Sequence, residues 1–265
     1  SVTGVFGQLT LSIPEYGVLE GAFCQPPFEP PTPEPSVDLA RVPVTPDLDA
    51  DRDVRDQVRG IAAVWNGSGR PFDSFTLFGD DALLGVADVL LSTGNLDRYA
   101  GELLPIIQQF SPGLNNLAAS YEACMTQPTL ACFDAPIIFL AQGALYAERG
   151  DSPGQLRSEL LGLVGELTRR GVIPVLVTIP GPVGDPTVAA YNTAIYEFAE
   201  EQRLPLFNLY AIGANNPSLI SLDRLTDPGE GFRGDFSESA LSRFGLNVAN
   251  LEMLRVLGEL LGAIQ

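Results

Sequence analysis

From residue 136 to residue 209 the chain alternates short apolar runs with amphipathic stretches, and that alternation limits the fold more than any other feature. Residues 136–141, 173–178 and 204–209 are apolar at almost every position, without the in-out alternation of a strand that has one wet face. Strands buried on both faces belong to parallel sheets covered by helices. The stretches between them read as those helices. Ser152 is placed as an N-cap with Pro153 after it, Leu156, Leu160, Leu163, Val164 and Leu167 recur at helical spacing, and Gly171 ends the pattern. Asp185 and Pro186 open a second helix running to about residue 202. Strand, helix, strand at this spacing means right-handed crossovers, so the fold class is α/β with a mainly parallel sheet.

Residues 74–78 form an earlier strand that ends in Gly79-Asp80-Asp81, at the kind of strand end where an open α/β sheet presents its functional groups. Helices are expected over 52–65, with Val54, Val58, Ile61 and Trp65 on one face, over 82–91, over 96–110 with Tyr99, Leu103, Ile106, Ile107 and Phe110 buried, and over 114–126. Residues 237–264 read as two helical pieces parted near Gly245, the second carrying Val248, Leu251, Leu254, Leu257 and Leu261. In residues 1–13, Leu9, Leu11 and Ile13 alternate with Thr10 and Ser12, a strand pattern. Residues 25–46 are dense in Pro and read as an extended arm, which either drapes over its own domain or docks on a neighbouring subunit's sheet edge. The expected organisation is an N-terminal strand and Pro-rich arm over 1–50, then the α/β domain over 51–265.

Composition removes whole classes of chemistry. All 15 basic residues are Arg, and the chain has neither Lys nor His. Without His there is no Ser-His-Asp or Cys-His machinery, and without Lys there is no Schiff base or phosphate-loop lysine. A net charge of −18 argues against nucleic acid and anionic membrane as partners. No apolar run approaches the ~18 residues of a membrane span. The acidic run from Asp47 to Asp53 resembles a calcium loop, but Arg52 stands where that loop needs Gly and Val58 where it needs Glu. Those carboxylates are read as favouring the start of the following helix, and no metal or cofactor is expected. Cys124 and Cys132 flank a Pro-containing loop and are expected to pair as a disulfide in an oxidising compartment, leaving Cys24 as the odd thiol. The start at Ser1 is read as a processed, secreted or surface-displayed form. Asn66-Gly67-Ser68 is a glycosylation sequon on an expected loop.

Over residues 54–265 the order of elements and several phrases resemble the SGNH (GDSL-type) hydrolases. Gly79-Asp80-Asp81 is similar to the family's Gly-Asp-Ser nucleophile turn, and residues 140–144 stand where the family has its Gly-x-Asn-Asp block. Residues 171–178 are similar to the strand after the family's long helix, and 191–210 to the helix and strand that follow. The tail from Asp235 to Leu254 is similar to the segment after the Asp-x-x-His block in secreted members. The resemblance implies a three-layer α/β/α sandwich, SGNH or flavodoxin-like. It also implies a Ser nucleophile, an Asp-x-x-His pair and oxyanion donors from the turn, a Gly and an Asn. In this chain Asp81 holds the Ser position, Gly143 the Asn position, and Asp223-Arg224-Leu225-Thr226 the Asp-x-x-His stretch, with Gly113 as the oxyanion Gly. A pseudoenzyme is therefore expected: no catalytic residue, and vestigial positions at Gly79, Asp80, Asp81, Gly113, Gly143, Asp223 and Thr226.

The preferred reading is a structural subunit of an oligomer or filament, its arm contacting copies of itself or other surface proteins. The alternative is a module that binds a glycan or acyl group in the remnant cleft, with Tyr146 and Phe232 as candidate lining. A glycoside hydrolase pairing Asp80 or Asp81 with Asp223 or Asp227 ranks below both.

Overall fold

The computed structural model describes residues 9–13, 17–21, 37–79, 96–114, 134–222, 224–229 and 234–265. They fall into two compact units, Ser1–Ser36 and Val37–Gln265. The helix expected over 82–91, nearly all of the one over 114–126, and Asp80, Asp81, Asp223, Phe232 and the three cysteines lie outside the described residues.

The first unit contains an antiparallel hairpin of β1 (Leu9–Ile13) and β2 (Gly17–Gly21). Its register sets Leu9 opposite Gly21, Leu11 opposite Leu19 and Ile13 opposite Gly17. The second strand was not anticipated, because two of its five residues are Gly, which weakens a strand pattern.

The second unit is an α/β domain whose four parallel strands lie in chain order across the sheet. They are β3 (Phe75–Gly79), β4 (Ile137–Ala141), β5 (Ile173–Val177) and β6 (Leu206–Phe207). Every residue of β4 and β5 is buried, the physical reason their sequences are apolar without alternation. Pro174 sits inside β5 at little cost. Ile173 N donates toward β4, to Pro136 O, and Leu176 N toward β6, to Pro205 O. The N–H that Pro174 lacks would face β6, whose pairing begins only at Leu176↔Leu206. On one face Phe110, Phe75, Phe139 and Phe207 form an edge-to-face row with centroids 5.8, 6.0 and 6.1 Å apart.

The helices are α1 (Arg52–Gly67), α2 (Ala100–Leu114), α3 (Gly143–Arg149), α4 (Pro153–Arg169), α5 (Pro186–Gln202), α6 (Leu209–Asn215), α7 (Glu238–Leu241) and α8 (Gly245–Ile264). Their starts follow the sequence signals. Asp51 accepts from Val54 N, Ser152 and Gln155 form a reciprocal capping box, and Asp185 accepts from Thr187 N and Val188 N. Helices α1, α2 and α6 pack on α8, while α3, α4 and α5 pack on one another. A short antiparallel pair, β7 (Ile220–Ser221) and β8 (Arg224–Leu225), precedes α7.

Residues 37–50, the end of the expected arm, lie on their own domain. Leu39 and Leu48 are buried. The amide of Asn208, just past β6, donates to Leu39 O and Val42 O at 2.9 Å each, and its N–H to Val44 O. Thr45 Oγ1 donates to Glu252 on α8 at 2.7 Å, and Leu48 N to Glu259. The segment is a strap across the end of β6 and along α8.

Candidate functional site

The carboxyl ends of β3 to β6 are where such a sheet presents a site, and just past β3 and β4 two glycines, Gly79 and Gly143, are packed against backbone and hydrocarbon. Gly79 ends β3 with φ +120, and a Cβ built on it would lie 2.1 Å from Ala141 O. Only glycine fits, because the chain leaves β3 pressed against the end of β4. Two residues beyond Ala141, Gly143 opens α3. A Cβ there would meet Ile179 Cγ1 at 2.7 Å and Ile195 Cδ1 at 3.0 Å.

Ile179 is itself fixed. Asn192 on α5, fully buried, accepts from Ile179 N at 2.7 Å and donates to Ile179 O at 2.9 Å. The position expected to carry a vestigial oxyanion donor is therefore packed by a clamped isoleucine from just past the neighbouring strand, β5. Beside it, Thr178 Oγ1 donates to Asn208 Oδ1 and accepts from Tyr210 N, so these buried polar groups are spent on structure.

Among the expected site residues that are described, the structure brings Gly79 and Gly143 together and gives Gly113, Thr226, Asp227, Asn66 and Tyr146 different surroundings. Gly113 is a helical position near the end of α2, not a loop donor. Thr226 is a staple for the start of α8. Its hydroxyl accepts from Gly245 N at 2.7 Å and shares its proton between Arg243 O at 3.0 Å and Leu219 O at 3.2 Å, while its carbonyl accepts from Leu246 N. Asp227 accepts from Gly229 N at 2.8 Å. Asn66 is exposed in the last turn of α1 rather than in a loop. Tyr146, expected to line a cleft, is 3% exposed and donates to Glu159. Burial first, and then that bond to Glu159, pushes its pKa up to about 12.

One open pocket, of about 510 Å³, was not anticipated. Ser218, Ser221, Thr226, Asp227, Ser242, Arg243 and Phe244 line it, from the β7–β8 pair and the turn before α8. Beside it stands Leu222, 91% exposed with φ +60. A left-handed backbone costs a non-Gly residue roughly 1 kcal/mol. No local signal marks the pocket, since Leu222 is not a turn-forming residue type.

No group of three or more Cys, Asp or Glu among the described residues converges as a metal site, and no described helix is long and apolar enough to cross a membrane. Among the described residues, fold and site together define an α/β protein with a parallel four-stranded sheet and a tightly packed glycine at each of the positions Gly79 and Gly143. Compared with protein-family models, curated proteins and solved structures, the chain has no significant match.

Proposed function

We propose that the chain is a non-hydrolytic protein of SGNH-type three-layer α/β/α architecture, secreted or surface-displayed, that serves as a structural subunit of an oligomer or filament. The observation that carries this reading is the wedge of Ile179 and Ile195 against Gly143. Acyl transfer needs pre-organised donors aimed at a developing oxyanion, and here the place of one such donor is hydrocarbon. The absence of His removes the general base as well.

The assembly half of the proposal rests on the first unit. Among the described residues β1 and β2 form a sheet of two strands only, and a two-stranded hairpin alone is marginal in water, which supports adding it to another surface. The strap that begins at Val37 belongs to the domain, so the contact to a neighbour is assigned to residues 1–36. Sedimentation velocity of the full chain beside a variant lacking residues 1–36 tests this. The full chain is expected to sediment as an oligomer and the shortened one as smaller species. Identical, monomeric profiles would remove the proposal.

A further inference from the structure

The open pocket of about 510 Å³ falls within the roughly 300–1,000 Å³ of small-molecule sites, and polar side chains dominate its lining. The segments that form it are fixed to one another. Thr226 Oγ1 accepts from Gly245 N at 2.7 Å and donates to Arg243 O and Leu219 O, while Leu246 N donates to the Thr226 carbonyl. Walls held in this way lower the ordering cost of binding. The Thr226 hydroxyl and the N–H groups of Gly245 and Leu246 are thereby spent.

The groups that remain have a definite hydrogen-bonding character. Arg243 holds its guanidinium 5.0 Å from the Phe244 ring, a cation–π contact, and among the described residues no carboxylate or carbonyl accepts from that guanidinium. The Ser221 hydroxyl has no hydrogen-bond partner there either. Ser218 and Ser242 differ. Each hydroxyl gives its one proton away, to Asn216 Oδ1 at 2.7 Å and to Ser239 O at 3.0 Å, so each can offer a ligand only lone pairs. The pocket therefore presents donors at Arg243 and acceptors at Ser218 and Ser242, with Ser221 able to act as either.

This set disfavours simple ions. Sulfate carries acceptors alone, so it leaves Ser218 and Ser242 unmatched, and the negative charge of Asp227 in the same lining repels it. An ammonium group finds no acceptor at Arg243. A molecule with several hydroxyls, each both donor and acceptor, matches all four residues, and Arg243 with Asp227 keeps the lining near neutral. We infer that this pocket binds a neutral saccharide, its hydroxyls accepting from Arg243 and donating to Ser218 and Ser242. The site is not the cleft expected from sequence, whose candidate Tyr146 is buried. The inference stands apart from the assembly reading, and neither needs the other.

Saturation-transfer NMR of the full chain with glucose, galactose, mannose and N-acetylglucosamine, each at millimolar concentration, tests it. At least one of these sugars is expected to bind, and sulfate added at equal concentration is expected not to displace it. Ser221→Trp fills the pocket and Arg243→Ala removes its donors, and circular dichroism checks that both variants fold. Each is expected to weaken binding roughly tenfold or more, read from the concentration dependence. Saturation transfer to none of the sugars overturns the inference, and so does binding that both variants retain in full. Displacement by sulfate overturns the class of ligand, making the pocket an anion site.

Discussion

The side-chain amide of Asn208, immediately after β6, donates to the carbonyl of Leu39 at 2.9 Å, tying the end of the sheet to the strap. Both residues are buried, and the same amide also serves Val42 O and Thr178 Oγ1. One side chain thus serves three polar groups from two segments, and its removal takes the amide donor from both strap carbonyls.

Asn208→Ala is expected to destabilise the domain by about 3 kcal/mol, the range for orphaning buried hydrogen-bonding groups. Urea unfolding measures that. The variant should also release the strap, so that trypsin cuts after the exposed Arg41 sooner than in the wild type. Unchanged stability and unchanged cleavage would mean the strap is not held by Asn208.

Placing an amide at residue 143, the position that the SGNH resemblance aligns with an oxyanion Asn, is expected to overpack the site. Gly143→Asn places a Cβ against Ile179 and Ile195, and such overpacking costs about 1–3 kcal/mol. Ile179→Ala in the same chain should recover part of the loss. A thermodynamic cycle with coupling near zero would show that the two positions do not touch.

Alkaline conditions should weaken the fold through Tyr146. The folded protein keeps the phenol proton to about 12, whereas the unfolded chain releases it near 10.0. With the folded pKa raised, the contribution is complete below pH 10 and is lost as pH climbs to about 12. Two pK units correspond to about 2–3 kcal/mol. Tyr191, Tyr196 and Tyr210 are raised by burial in the same direction, so Tyr146→Phe should flatten the alkaline limb without abolishing it. An identical pH profile for Tyr146→Phe would contradict the assignment.

Arg203 ends α5 with φ 53 and is exposed. Arg203→Gly should raise the melting temperature, since Gly adopts this conformation without the Cβ conflict, worth roughly 1 kcal/mol. A lowered melting temperature would point to a role for the guanidinium instead.

What could be read from the chain alone follows from how local each cause is. β4 and β5 were legible because burial on both faces writes an apolar run directly into sequence. The starts of α4 and α5 were legible because Ser152 and Asp185 act within four residues. No helix is expected at Gly143, where α3 opens, because a helix of 7 residues is too short for a periodic stripe to declare itself. The staple at Thr226 and the latch at Asn208 depend on partners 19 and 169 residues away, which no local pattern encodes. The pocket beside Leu222 was hidden for the same reason, being assembled from the β7–β8 pair and a distant turn.

The central claim of the proposal is that the chain performs no acyl transfer at the ends of β3 and β4. Hydrolysis of short acyl esters by the purified full chain tests it most directly. The expected result is a rate equal to that of buffer alone, for the wild type and for Asp81→Ala alike. Turnover that tracks the protein and disappears in Asp81→Ala would contradict the account.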